Sequence, residues 1–306
     1  MATIVTLTMN PALDIATTTE RVEPVHKLRC TAPRYDAGGG GINVARAVHA
    51  LGGEALAVFP AGGAAGEMIG HLLNEEGVAH QTVAINGFTR ESLAVEEGIS
   101  GKQYRFILPG PLVGPADQER CLDLVSRAAT EAEFIVASGS LPLGVQPDFY
   151  AEVAAVAKRL GKRFVLDTSG AALEQSGKGV YLLKPSLREL AELTGRAIQD
   201  ESDEEAAAQE VVARGRAEIV VVSLGARGAL ITSSQGSARI PAIAVEAKST
   251  VGAGDSMLAG IVLGLTRGLT LHETVRFGIA AGTAALFGAG TQLCRRDDVE
   301  RLYQPM

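Results

Sequence analysis

The chain has 306 residues, 46% of them hydrophobic and 21% charged, which is enough apolar content to bury a large core and too much for a disordered chain. Its net charge of −7 argues against a nucleic-acid or anionic-membrane partner, yet leaves phosphate ligands open because local groups hold those. The longest apolar runs, such as GIVLGL and IAAGTAALFGAG, fall short of a membrane span, and MATIVTLTMNPALD lacks the basic start of a secretory leader, so a cytoplasmic location is expected.

From the N-terminus, TIVTLTM reads as a strand, and the stretch from Leu13 to Ala37 then departs from the rhythm of the rest. GGGGINVARAVHALGG, Gly38 to Gly53, brings four glycines to the start of a helix whose apolar face is Val44, Ala45, Val48 and Leu51. Asn43 falls in its first turn, where a carboxamide can cap the helix or bond a ligand hydroxyl. After the strand EALAVFPA, the segment Thr89 to Leu108 alternates through Leu93 and Val95. It turns at Gly98 to Gly101 and returns through Tyr104, Phe106 and Leu108, a hairpin pattern. Folding that hairpin brings Arg90 and Arg105 toward one another.

EFIVAS, KRFVLDTS, VYLLKP and EIVVVSLG follow, near-continuous apolar strands each succeeded by a helical pattern. KPSLREL opens a helix at Lys184, Asp200 to Glu205 reads as a solvated helix start, and SLGARGAL turns a strand back through Gly225 and Gly228. The fold class expected is α/β, a mostly parallel central sheet with helices on both faces. Ligands in such sheets gather at the carboxyl ends of strands, where Ser138, Asp167, Lys184 and Ser223 stand. Segments of about 13–37 and 89–108 are expected to form a small β-sheet lid on a single domain of residues 1–306, since no linker or composition shift divides the chain.

STVGAGDSM, Ser249 to Met257, is the most informative stretch. Gly252, Ala253 and Gly254 let backbone N–H groups approach an anion at the positive end of a helix, and Asp255 stands beside them as a proton acceptor. An anion cradle with an isolated base is what phosphoryl transfer to a hydroxyl requires. The bland alternative is a glycine-rich cap with Asp255 as an ordinary first-turn acid. No G-x-G-x-x-G follows the first strand, which weighs against a Rossmann dehydrogenase. His26, His49, His71, His80 and His272 show no metal spacing, and Cys30, Cys121 and Cys294 fit reduced thiols.

The early GGxNxA and late xTxGAGD motifs, in that order and at that separation, resemble the paired signatures of the PfkB (ribokinase-like) family of sugar kinases. TLTMNPALDIATTT, KLRCTAPRYDAGGGGINVARA and TRESLAVEEGISGKQYRFILPG extend the likeness to the branch that phosphorylates sugar phosphates, and most of all to its 6-phosphofructokinases. The resemblance implies ATP-dependent phosphorylation of fructose 6-phosphate, with 1-phosphofructokinase or tagatose-6-phosphate kinase activity as the alternative. A non-catalytic sugar-phosphate sensor is the rival from another class, and retention of Asp255, the GAG and Glu189 argues against it.

The resemblance assigns Asp255 as general base and Gly252, Ala253 and Gly254 as the anion hole. Asp14, Lys27, Gly38, Gly39, Asn43, Arg90, Arg105 and Ser138 are expected on the sugar phosphate, the two arginines as a phosphate clamp. Lys184, Ser186, Ser223, Gly225 and Gly228 are expected on ATP, and Glu189 on magnesium through water; Ser186 departs from the family's usual Asn. Backbone oxygens near Ser249, Val251, Gly288 and Gly290 are expected around a potassium ion, and the lid is expected to join two chains into a homodimer.

Overall fold

A computed structural model of the protein describes residues 3–246, 249–288 and 292–303. The chain opens with β1 (Ile4–Leu7), β2 (Ala12–Thr19), β3 (Arg34–Gly38), α1 (Gly40–Ala50), β4 (Ala55–Ala61), α2 (Gly63–Glu75) and β5 (His80–Ala84). There follow β6 (Arg90–Glu97), β7 (Gln103–Ile107), α3 (Pro115–Ala128), β8 (Phe134–Ser138), α4 (Phe149–Leu160), β9 (Arg163–Asp167), α5 (Gly170–Glu174) and β10 (Val180–Leu183). The remainder is α6 (Leu187–Thr194), α7 (Glu201–Ala213), β11 (Ala217–Ser223), β12 (Ala229–Ser233), β13 (Gly236–Ile240), α8 (Ala253–Thr266), α9 (Leu271–Ala285) and α10 (Arg296–Leu302).

Nine strands form the central sheet in the order β13-β12-β11-β10-β9-β8-β1-β4-β5. Every pairing from β5 to β11 is parallel, and only the β11–β12 and β12–β13 pairings at one edge are antiparallel. The apolar runs have no polar side because both faces are covered. Ile4, Phe59, Phe134, Val136, Val165 and Val221 pack toward α1, α8 and α9. Their strand neighbours Val5, Leu7, Val58, Ile135, Leu166 and Val220 pack on the opposite face, toward α3, α4 and α7. The chain moves outward from β1 first through β4 and β5, then the other way through β8 to β11, so the crevice at the carboxyl ends of β1 and β8 is the switch point where ligands lodge. The glycine run fits there because nothing larger can. A Cβ on Gly40 would lie 2.3 Å from the Ser138 hydroxyl, and one on Gly41 2.5 Å from the Leu7 carbonyl.

The two exceptional segments form a separate sheet of order β3-β2-β6-β7. The hairpin β6–β7 is antiparallel as its alternation implies, while β2 and β6 pair in parallel, Ala12 beside Arg90 and Asp14 beside Ser92. Register therefore sorts the lid's residues. Asp14, Asp36, Arg90, Ser92 and Arg105 share one face, and Ile15, Tyr35, Leu93, Tyr104 and Phe106 share the other.

Candidate active site

Helix α8 begins at an unguarded end. Gly252 caps it in the left-handed region (φ 75°) without any side-chain hydrogen bond, so the first-turn N–H groups remain available to an anion. Ser256 through Gly264 are all buried, because α1, α9 and the sheet enclose the helix. This rigid setting holds Asp255 in the first turn. Asn43 of α1 does not cap its own helix; its amide donates to Asp255 Oδ2 at 2.9 Å, 212 positions away in sequence. Burial, then the charge of Asp167, pushes the Asp255 carboxyl up to about 6, with Asn43 and Lys184 opposing.

Lys184, at the end of β10, is 5% exposed and pairs with Asp167 Oδ2 at 3.0 Å. Burial alone would discharge its ammonium, but Asp167, helped by Asp255 and Glu189, outweighs that and holds it charged. A Cβ on Gly254 would lie 3.7 Å from Lys184 Nζ, so the ammonium stands against the open end of α8. Backbone N–H groups, a fixed cation and a carboxyl titrating near neutrality thus meet at one point. That arrangement can bind a phosphoryl group and remove a proton from its acceptor.

The lid supplies the other side. The Asp14 carboxylate rests against the α-carbon of Gly38, and burial, opposed chiefly by Arg90 and reinforced by Asp36, lifts it to about 6. Arg90 donates to the Asn10 carbonyl through Nε at 3.4 Å and Nη2 at 3.2 Å. Arg105 is exposed on the same face and acts on Asp14, but it sits opposite Ala94, four residues along β6 from Arg90, or about 13 Å. The two arginines share a face without being neighbours, a spacing that can close on an anion from two sides. Lys27 is not brought to this site by its own chain. It follows the far end of β2, whose Thr19 lies five residues and about 17 Å beyond Asp14.

Ser138 also departs from expectation. It is 2% exposed, shut behind Gly40, whereas Ser140 two residues on is exposed at the crevice and accepts from the Asn10 amide at 3.1 Å. With that amide donating to its oxygen, the Ser140 hydroxyl proton is free for a ligand. Gly39 (φ 110°) caps α1.

At the other end of the crevice, Ser186 and Glu189 form a capping box: Ser186 N–H donates to Glu189 Oε2 at 2.8 Å and Glu189 N–H to Ser186 Oγ at 3.3 Å. The hydroxyl thereby takes over the capping task at this position. Ser223 lies alongside, its N–H donating to the Pro185 carbonyl at 2.9 Å, and the chain then turns through Gly225 and Gly228. Ser249 N–H reaches the Leu286 carbonyl at 3.5 Å, which sets the Ser249–Val251 loop beside the segment that leads to Gly288; Gly290 lies outside the described residues. Ser140 was missed by sequence reasoning, and Asp167, placed at the ligand edge, was given no role there. Asp167 ends a strand at the ligand edge just as Lys184 does, which was the available signal.

The profile of the pfkB family carbohydrate kinases matches residues 5–298. The ATP-dependent 6-phosphofructokinase isozyme 2 of Mycobacterium tuberculosis (strain ATCC 25618 / H37Rv) is 52% identical across 98% of this chain and 89% of its own. The enzyme of the same name from Escherichia coli (strain K12) is 44% identical across 99% of this chain and 98% of its own. Crystal structures of phosphofructokinase-2 from Escherichia coli with potassium and with fructose-6-phosphate superpose with TM-scores of 0.94 and 0.92, at 44% and 42% identity over 99% of this chain and 98% of theirs. With the profile matched over residues 5–298 and this likeness running through nearly the whole length, the chain belongs to the pfkB family of carbohydrate kinases.

Proposed function

We propose that the protein transfers the γ-phosphoryl group of ATP to the C1 hydroxyl of fructose 6-phosphate, giving ADP and fructose 1,6-bisphosphate. The observation that carries this reading is the Asp255 carboxyl, lifted to about 6 and oriented by Asn43 at the open end of α8. As the hydroxyl oxygen bonds phosphorus and the bond to the ADP oxygen breaks, Asp255 takes the hydroxyl proton. The N–H groups of Gly252, Ala253 and Gly254, with Lys184, meet the charge on the transferring group. Asp14 accepts from sugar hydroxyls, and Arg90 with Arg105, joined by Ser140, holds the 6-phosphate. The relatives named 6-phosphofructokinase support this choice of acceptor.

The donor set suits magnesium carried on nucleotide phosphates rather than a protein cage. Among the described residues no three His, Cys, Asp or Glu side chains cluster to hold a metal, while the Glu189 carboxylate stands within electrostatic reach of Lys184 and Asp167. When bound, magnesium neutralises the β- and γ-phosphate charge. The Ser249–Val251 and Leu286–Gly288 backbones suit a potassium ion, and ATP serves as co-substrate. The lid's apolar face supports a homodimer. No helix among the described residues is long and apolar enough to cross a membrane, and a cytoplasmic setting fits the substrates.

Turnover measured side by side with fructose 6-phosphate, fructose 1-phosphate and tagatose 6-phosphate tests the acceptor. The largest kcat/KM is expected for fructose 6-phosphate; a larger value for either rival would reassign it.

A further inference from the structure

Helix α7 begins in the acidic run Asp200 to Glu205, which reads from sequence as a solvated start, yet Glu204 is 2% exposed. A carboxylate this far from water is costly unless opposite charges meet it. Two do. Glu204 Oε1 lies 2.5 Å from Arg227 Nη2, and Oε2 lies 2.6 Å from Arg239 Nη1. Arg239, on β13, is itself held by the first turn of α7, donating to the Glu201 carbonyl at 2.7 Å and to Glu205 Oε1 at 3.1 Å. Arg227 belongs to the turn between β11 and β12, the turn that follows Ser223 at the carboxyl edge of the sheet.

We propose that Glu204 is a positioning residue for nucleotide binding, fixing the turn Ser223–Gly228 by tying Arg227 to Arg239. This rests on the reading that the turn borders ATP. Within the turn the bonds are short-range, Leu224 N–H to the Gly228 carbonyl at 2.9 Å, Arg227 N–H to the Leu224 carbonyl at 3.2 Å and Gly228 N–H to the Gly225 carbonyl at 3.0 Å, and Ser223 N–H on the Pro185 carbonyl at 2.9 Å holds its start. Its far end lies directly on the chain leaving β13, since a Cβ on Gly228 would meet the Ile240 carbonyl at 2.0 Å. Glu204, through Arg227, ties the neighbouring residue to the same strand. The turn is therefore clamped to β13 at its carboxyl-terminal end, at the adjacent residues Arg227 and Gly228, once through a buried charge and once by backbone contact. A carboxylate that served stability alone would be poorly chosen, because well-packed apolar groups do as well in such places. What the charge adds is a fixed direction for the Arg227 side chain and hence for the Gly225–Arg227 backbone, which bonds back to Leu224.

Calorimetric titration of MgATP without sugar, together with KM values for both substrates, tests this in Glu204→Gln, Arg227→Gln and the double variant. MgATP affinity is expected to fall about tenfold in Glu204→Gln, the scale of one lost charge-assisted hydrogen bond. The KM for fructose 6-phosphate and kcat are expected to stay within about twofold, since remote uniform binding alone is removed. The double variant should be no worse than Glu204→Gln. Arg227→Gln cuts the same tie at a half-exposed side chain, so it reads the link even where the Glu204 variant folds poorly. Unchanged MgATP affinity in Arg227→Gln, or a loss of melting temperature alone in Glu204→Gln, would overturn the proposal. A wild-type protein that binds MgATP but ignores fructose 6-phosphate would sink the acceptor and leave this inference standing; one that binds no MgATP would sink both.

Discussion

Asp255 serves two opposed ends, and its ionisation separates them. In Asp255→Asn the Asn43 amide still has an oxygen to donate to, so ligand binding should survive while turnover drops by roughly 10²–10⁴, the worth of a general base. Turnover within a few-fold of wild type would remove Asp255 from that role. Because the base works only as a carboxylate, wild-type kcat should fall as pH drops through about 6, and the pH profile of single-turnover phosphorylation reads this directly. The stability sign runs the other way. A carboxyl raised from 3.8 to about 6 on folding binds its proton more tightly in the native state, so its stabilising contribution is full below 3.8 and is lost as pH rises through 6. At neutral pH that difference is about 3 kcal/mol. Asp255→Asn should therefore melt higher than wild type at pH 8, with the gap closing toward pH 4; thermal melts across that range would show it. Arg90→Ala and Arg105→Ala should each raise the KM for the sugar phosphate by about one to two decades while that for ATP hardly moves. Selective loss of ATP affinity would instead place both arginines at the nucleotide end.

The elements that carry these residues depend on contacts of small size. Helices α8 and α9 cross where Gly260 meets Gly278, and a Cβ on Gly260 would lie 2.9 Å from the Gly278 α-carbon and 3.1 Å from the Phe277 carbonyl. Backbone cannot step aside as a flexible side chain can. Helix propensity favours alanine over glycine by about 1 kcal/mol, but overpacking two helices costs about 1–3 kcal/mol. Gly260→Ala should therefore lower the melting temperature rather than raise it, and a higher one in calorimetry would mean the helices can part freely. Much of this architecture was legible in the sequence. The parallel sheet follows from continuous apolar strands, the β6–β7 hairpin of the second sheet from period-two alternation around Gly98 to Gly101, and the uncapped start of α8 from Gly252 to Gly254. What could not be read were contacts between distant segments. Nothing local to Asn43 tells that its amide turns to Asp255 rather than to its own helix. Ser138 and Ser140 differ in sequence only by a step of two, and it is the glycine at position 40 that buries the first. Glu204 looks like any acid in an acidic helix start until β13 and the β11–β12 turn deliver two arginines to it.

For the molecule as a whole, the lid raises the question of what covers its outer face. That face presents Phe106 at 53% exposure, Tyr35 at 39% and Leu93 at 37%, in one row across four strands with Ile15 between Tyr35 and Leu93. The opposite face carries Asp14, Arg90 and Arg105, so the sheet is two-sided: charged toward the crevice and apolar away from it. An apolar face left in water is unfavourable, and a second copy meeting it apolar face to apolar face would bury what is now exposed. Order in the lid would then depend on the dimer, and so would the position of Asp14 and the exclusion of water from the phosphoryl group. Phe106→Asp sets a charge on that face, on its edge strand β7, without touching the crevice face. The variant should sediment as a monomer, bind fructose 6-phosphate weakly, and release more ADP per sugar phosphorylated, because water gains access as acceptor. Sedimentation velocity and coupled ADP release on one preparation measure all three. A monomeric variant that binds and phosphorylates the sugar normally would show that the lid keeps its order without a partner. A dimeric one would show that the chains meet elsewhere.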